Sequence, residues 1–221
     1  MRTVIFDLDG TLADTSGDLI AAANACFEGL GLGSPLDRAA DAATAFHGGR
    51  AMLQLGFERL NAADIAPLVE TQFPLLLDHY EAAIDVHTRL YPGAIEAVDK
   101  LASAGHPVGI CTNKPAYLAE KLLRRLGVRG AFASLIGADT LPVRKPDPRP
   151  LAASIERAGG SVRRAVLVGD TITDRQTARA AGIPCVLVTF GPEGRAVAAL
   201  EPEALLDRFG DLPAIVGGLP G

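Results

Sequence analysis

Hydrophobic positions recur along this chain in two rhythms. In the first, short runs rich in Val, Ile and Leu end abruptly in small or polar residues: Thr3–Asp7, Pro107–Thr112, Ser134–Gly137, Ala165–Gly169 and Pro184–Thr189. Runs this short, and apolar on both faces, predict central strands of a parallel sheet. Between them lie amphipathic stretches at Pro92–Ala104, Pro115–Leu126, Pro148–Ala158 and Asp174–Ala181. Pro92 and Pro148 suit first-turn helix positions, and Gly105, Gly127, Gly159 and Gly182 suit helix stops. Strand, helix and strand in repetition predict a doubly wound, Rossmann-like α/β core.

The second rhythm fills Asp14 to about His87. Here Ala, Leu and Phe recur at helical spacing with no convincing strand, broken at Gly29–Pro35, His47–Gly49 and Pro67. That pattern predicts about four helices inserted after the first strand as an α-helical cap domain. The expected division is 1–13 with 88–221 for the α/β core and 14–87 for the cap. Linkers are expected near Leu12–Ser16 and Asp85–Leu90, and the tail Gly217–Gly221 is expected to fray.

Composition narrows the possibilities only slightly. A chain of 221 residues suffices for a core domain with a small insertion. A net charge of −5 argues against nucleic acid or an anionic membrane surface as partner. Cys26, Cys111 and Cys185 are odd in number and widely spaced, so they predict buried thiols in a reducing compartment. Arg2-Thr3 is followed by Val4-Ile5-Phe6 and acidic Asp7, so no secretory leader is expected, and no apolar run approaches the roughly 20 residues of a membrane span. A cytoplasmic protein is expected, with monomer and homodimer both open.

The strand ends carry the chemistry. In an open parallel sheet, ligands bind beyond the carboxyl ends of the strands. The first strand delivers Asp7-Leu8-Asp9-Gly10-Thr11 there, and the second delivers Thr112-Asn113-Lys114. After the third, across a loop, comes Lys145-Pro146-Asp147-Pro148; the fourth delivers Gly169-Asp170-Thr171 and then Asp174. Clustered carboxylates repel one another unless a cation sits among them. Magnesium takes hard oxygen ligands and shares them with phosphate. A carboxylate can attack phosphorus, a second one two residues on can move the proton, and lysine can neutralise the transferring group.

These stretches resemble the haloacid dehalogenase-like superfamily. Asp7-Leu8-Asp9-Gly10-Thr11 looks like its first motif, Thr112 its second, Lys145 its third, and Gly169-Asp170-Thr171-Ile172-Thr173-Asp174 its fourth. The helical insertion resembles the family's cap. The resemblance implies Asp7 as nucleophile and Mg2+ ligand, and Asp9 as general acid/base that also offers its backbone carbonyl to the metal. It implies Thr112 and Lys145 as phosphate holders, Asp170 as a metal ligand, and Asp174 as an orienting group outside the ligand set. Gly10 is expected to give a tight backbone path beside the phosphate, and Asn113 to brace Thr112.

Blander expectations stand beside these. Lys114, ahead of Pro115 at a helix start, reads as a solvated lysine, and Asp139 as a loop residue. Asp174 can also cap the following helix. Thr15 and Asp18 stand at capping-box spacing. His47-Gly48-Gly49-Arg50 is either a backbone approach to ligand with Arg50 gripping a carboxylate, or a helix–helix turn with a solvated arginine. His79, His87 and His106 read as surface or packing residues.

Within the superfamily, Asp9 in the first motif argues against dehalogenation. The absence of lysine between Asp14 and His87 argues against phosphonate cleavage through a Schiff base. Leu90-Tyr91-Pro92-Gly93, Cys111-Thr112-Asn113-Lys114-Pro115 and Arg144-Lys145-Pro146-Asp147-Pro148 are most similar to phosphoglycolate phosphatases. The expected activity is therefore Mg2+-dependent hydrolysis of a small phosphorylated metabolite, 2-phosphoglycolate first. A phosphosugar mutase and a broad-specificity, pyrophosphate- or nucleotide-cleaving phosphatase stay as alternatives. A non-catalytic module would have lost the nucleophile or a metal ligand, and neither is lost here.

Overall fold

β1 (Thr3–Phe6) is short, β-branched and aromatic, and every residue in it is buried. In the computed structural model, which describes residues 1–219, it lies inside a six-stranded sheet. The other strands are β4 (Val108–Cys111), β5 (Ser134–Ile136), β6 (Ala165–Gly169), β7 (Cys185–Val188) and β8 (Ala204–Leu206). Their order is β5-β4-β1-β6-β7-β8, and every pairing is parallel. The chain steps outward from β1 through β4 to β5, then returns to the other side of β1 with β6. That reversal makes a topological switch point at the carboxyl ends of β1, β4 and β6.

Both faces of the sheet are apolar because the pleat sends alternate residues to opposite sides. Ile5, Cys111, Leu167, Cys185 and Leu187 form one core cluster with Leu151, Ile155 and Ala178 of α7 (Pro148–Arg157) and α8 (Ile172–Ala181). The remaining helices of this part are α5 (Ala94–Ser103), α6 (Ala116–Arg125) and α9 (Leu212–Gly218). Asp147 caps α7, its side chain accepting from Arg149 N, with Pro148 in the first turn as expected.

The chain divides into two compact units: Met1–Ala13 with Leu90–Gly221, and Asp14–Arg89. The two linking segments, β2 (Ala13–Asp14) and β3 (Arg89–Leu90), pair as a two-stranded sheet. The second unit is helical: α1 (Ser16–Gly29), α2 (Ala42–Ala45), α3 (Gly49–Arg59) and α4 (Ile65–Ala82). Its centre packs Phe27 edge-on to Phe57 at 4.9 Å, and Gly56 leaves room for the Phe27 ring. Arg59 grips Asp41 with both terminal nitrogens at 2.5 and 2.6 Å.

Several local expectations need correction. Pro67 does not interrupt a helix; it lies in the first turn of α4, where its missing N–H has no helical partner to lose. Pro92 precedes α5, whose first turn begins after Gly93 in the left-handed region at φ 81°. Thr15 and Asp18 form no capping box: Asp18 instead accepts from the backbone N–H of His87 and Thr88 and the Thr88 hydroxyl, each at 2.8 Å. α8 starts at Ile172 rather than Asp174, and β8 had no counterpart in the sequence pattern. Gly217 and Gly218 belong to α9 rather than to a frayed tail, and Pro220 and Gly221 lie outside the described residues. Among the described residues no helix is long and apolar enough to cross a membrane.

Candidate active site

β1 ends by handing Asp7 to the sheet edge, its N–H bonded to Val168 O of β6 at 2.9 Å. The following backbone turns back at once. Thr11, Leu12 and Ala13 all donate to Leu8 O, and Gly10 sits at φ 80°, where a side chain would be strained. Gly191 lies against this turn, since a Cβ there would come within 2.8 Å of Gly10 O. Asp7 Oδ1 accepts from Leu8 N at 2.7 Å, and its Oδ2 lies 3.0 Å from Lys145 Nζ.

Lys145 reaches the site from the β5–α7 loop and is fully enclosed. It is shared between Asp7 and Asp174, donating to Asp174 Oδ1 at 2.7 Å. Asp174 Oδ2 meets the backbone N–H groups of Asp170 and Thr171 and the Thr171 hydroxyl, at 3.1 to 3.2 Å, completing a capping box at the start of α8. Both oxygens of Asp174 are therefore engaged within the protein. The approach is close enough to require Gly169, because a Cβ at that position would collide with the Asp174 carboxylate.

Asp170 is the buried counterpart. Its Oδ1 accepts from Thr11 Oγ1 at 2.8 Å, while its Oδ2 is buried with no hydrogen-bond partner in the protein. Oxygens of Asp7, Asp170 and Asp174 lie within 4.8 Å of one another. When all three are ionised, three carboxylates against the single ammonium of Lys145 leave two negative charges. A hard divalent cation fits this donor set: it matches that charge and gives the orphaned Asp170 oxygen a partner. Asp7, Asp170 and Asp174 together form this plausible cation site, and the partnerless oxygen belongs to Asp170.

The electrostatics follow from burial without a cation. Burial raises the Asp7 carboxyl to about 6; Lys145 opposes this, and Asp174 and Asp9 add to it. Burial also drives Asp170 well above the ordinary range, reinforced by Asp174 and Asp7 and only partly offset by Thr11. Burial works against a charged Lys145, but Asp174 and Asp7 outweigh it and hold its ammonium above the ordinary lysine range. Cys111, one residue before Thr112, is pushed up to about 12 by burial and is an inert thiol.

Asp9 stands apart from the three-carboxylate cluster. Lys114 Nζ bonds both its oxygens, at 2.9 and 3.2 Å. The expectation of a solvated Lys114 is thus wrong: the side chain is 4% exposed and faces the site. Thr112 is buried, and its hydroxyl accepts from Lys114 N at 3.2 Å. Asn113 braces Lys145 rather than Thr112, donating to Lys145 O at 3.0 Å. Asp139 does lie in a loop, where it caps α6 through Ala116 N at 2.7 Å.

Arg50 belongs to the helical unit. Its Nε and Nη2 are held by Glu70 at 2.7 and 3.0 Å, and its guanidinium lies 3.6 Å from the centre of the Phe73 ring. To grip a ligand carboxylate in bidentate fashion it would have to give up that pair. Gly48, at φ 96°, makes the turn into α3. Sequence reasoning placed Thr11, Lys114 and Gly169 at the strand ends but assigned no role to Thr11, Gly169 or Gly191 and read Lys114 as solvated. Thr11 and Lys114 could have been flagged by their place beside motif residues, and Lys114 further by the scarcity of lysine, which supplies only four of the 21 basic residues.

A doubly wound sheet that gathers these groups at its switch point is the architecture of a phosphate-handling hydrolase, and comparison with known proteins agrees. The chain belongs to the haloacid dehalogenase-like hydrolase family, whose model matches residues 4–188. It is 40% identical over 216 residues to a phosphoglycolate phosphatase of Agrobacterium fabrum, covering 96% of this chain and 91% of that one. It is 42% identical over 210 residues to the phosphoglycolate phosphatase of Mesorhizobium japonicum, covering 93% and 90%. The crystal structure of a predicted phosphoglycolate phosphatase from Haemophilus somnus superimposes with a TM-score of 0.84 at 23% identity, covering 97% of each chain.

The raised carboxyls set a pH prediction. A carboxyl held at about 6 in the folded protein against an ordinary 3.8 favours folding fully below 3.8, and that contribution is lost as pH rises through 6. Metal-free protein should therefore gain a penalty from Asp7 as pH rises from about 3.8 to about 6, and keep it above that. Mg2+ at about 100 times its dissociation constant should add about 2.7 kcal/mol at pH 7.5, and much less at pH 5. Asp170→Asn should raise the metal-free melting temperature at pH 7.5 and abolish the Mg2+-induced increase. Thermal melts with EDTA or Mg2+ read both effects, and a full Mg2+ shift in that variant would remove Asp170 from the metal site.

Proposed function

We propose that this chain is a magnesium-dependent phosphatase that hydrolyses small phosphorylated metabolites through a phosphorylated Asp7, with 2-phosphoglycolate as its preferred substrate. The observation that carries the reading is the division of labour at the strand ends. Asp7 is held beside Lys145 and the buried Asp170, while Asp9, two residues on, is kept apart by a lysine of its own. Two curated relatives at 40% and 42% identity, both phosphoglycolate phosphatases, support the choice of substrate. The net charge of −5 and the three free, buried cysteines support a cytoplasmic enzyme that handles no nucleic acid.

Two displacements follow. An Asp7 oxygen attacks phosphorus, the ester P–O bond breaks, and Asp9 gives its proton to the departing alkoxide. Water then attacks the phosphorus of the aspartyl-phosphate, passing a proton to Asp9, and inorganic phosphate leaves with the Asp7 carboxylate restored. Asp7, Asp170 and the Asp9 backbone carbonyl would hold Mg2+, which supplies charge neutralisation on the phosphoryl oxygens. Lys145 and Thr112 hold those oxygens from the other side, and Asp174 fixes Lys145. Separation of the two carboxylates suits the two roles, because an attacking group and a proton carrier in one cluster would compete for the same cation.

The test is phosphate release across a panel of phosphomonoesters including 2-phosphoglycolate, with and without Mg2+. Magnesium-dependent release led by 2-phosphoglycolate is expected; an isomerised sugar phosphate without free phosphate would assign a mutase instead. Asp7→Asn should lower turnover by about 10⁴-fold or more with the fold retained, and Asp9→Asn by about 10²- to 10⁴-fold. Normal turnover in Asp7→Asn would contradict the nucleophile assignment.

A further inference from the structure

Lys114 is a buried cation that the hydrolytic scheme above does not use. The protein holds it deliberately in place. Its N–H donates to Thr112 Oγ1, and its carbonyl accepts from Ala138 N at 3.0 Å. The β5–α7 loop can lie this close only because position 137 is glycine, where a Cβ would come within 2.8 Å of Lys114 O. Asp139 on the same loop then caps the helix that begins two residues after Lys114. The ammonium so placed bonds both oxygens of Asp9.

The position has a chemical consequence. To protonate a leaving group, Asp9 must contact the bridging oxygen of the ester. A cation that touches both Asp9 oxygens therefore stands beside the carbon that carries that bridging oxygen. In 2-phosphoglycolate this carbon bears the carboxylate directly. The second ammonium at the strand ends, Lys145, lies with Asp7 and Asp174, so Lys114 is the cation beside Asp9. We propose that Lys114 is the specificity-determining residue of this site: it receives a carboxylate on the carbon next to the leaving oxygen, selecting phosphate monoesters of 2-hydroxycarboxylic acids. This rests on the phosphatase reading above and names the group that recognises the leaving alcohol. Charge-assisted bonds of this kind discriminate strongly between a substrate that carries the carboxylate and one that does not.

The experiment compares kcat/KM for 2-phosphoglycolate and for ethyl phosphate, which replaces the carboxylate by a methyl group and keeps an alkyl leaving oxygen. The wild-type protein should prefer 2-phosphoglycolate by at least about 100-fold. Lys114→Met and Lys114→Gln, with folding checked by circular dichroism, should collapse that ratio towards unity, mainly through KM for 2-phosphoglycolate. Equal losses on both substrates, with the ratio intact, would assign Lys114 to holding Asp9 alone and overturn the proposal. A wild-type preference below tenfold would overturn it without any variant. Wild-type protein that releases phosphate from neither compound would remove the phosphatase reading itself, and the proposal with it.

Discussion

One buried ammonium organises this site. Lys145 sits between Asp7 and Asp174 at 3.0 and 2.7 Å, so two carboxylates can share a dry space that neither could enter alone. The surrounding structure is shaped around that contact. Gly169 makes room for the Asp174 carboxylate, Thr171 and two backbone N–H groups satisfy its second oxygen, and Asn113 fixes the carbonyl of Lys145. Asp174 thereby starts α8 and positions Lys145 with a single carboxylate. Remove the lysine, and three acidic groups would face one another without compensation.

The same arrangement leaves a definite shortage of positive charge. Lys145 answers for two carboxylates, but Asp170 keeps a buried oxygen without a partner. Burial then raises Asp7 and Asp170, the two groups whose oxygens would face the cation. The donor set fits a divalent cation, which would offset this shortage. Asp9 is paired with Lys114 rather than Lys145. Two lysines thus divide the acidic groups, Lys145 pairing with Asp7 and Asp174 and Lys114 with Asp9.

Much of this was legible in the sequence, for physical reasons. Central strands such as Ala165–Gly169 are apolar on both faces, so their runs stand out; β8 is three residues at the sheet edge and carries no such mark. Asp7, Asp170 and Lys145 were legible because strand-end carboxylates and a lysine have no folding reason to converge. Lys114 was misjudged because its burial depends on Gly137 and Ala138, residues brought over it by a loop more than 20 positions later. Arg50 was ambiguous for the same reason, since its partner Glu70 lies one helix away. Thr15 and Asp18 had capping-box spacing, but Asp18 found backbone donors at His87 and Thr88, about 70 residues on, and the local pattern lost to the distant one.

The central claim is that Asp7 itself carries the phosphoryl group. The direct measurement is a rapid acid quench of enzyme turning over 2-phosphoglycolate with Mg2+, followed by borohydride reduction and peptide mapping. An acyl phosphate on Asp7 would be reduced to homoserine at position 7, and the account predicts that product at that residue alone. Homoserine at another aspartate, or none while phosphate is being released, would contradict it.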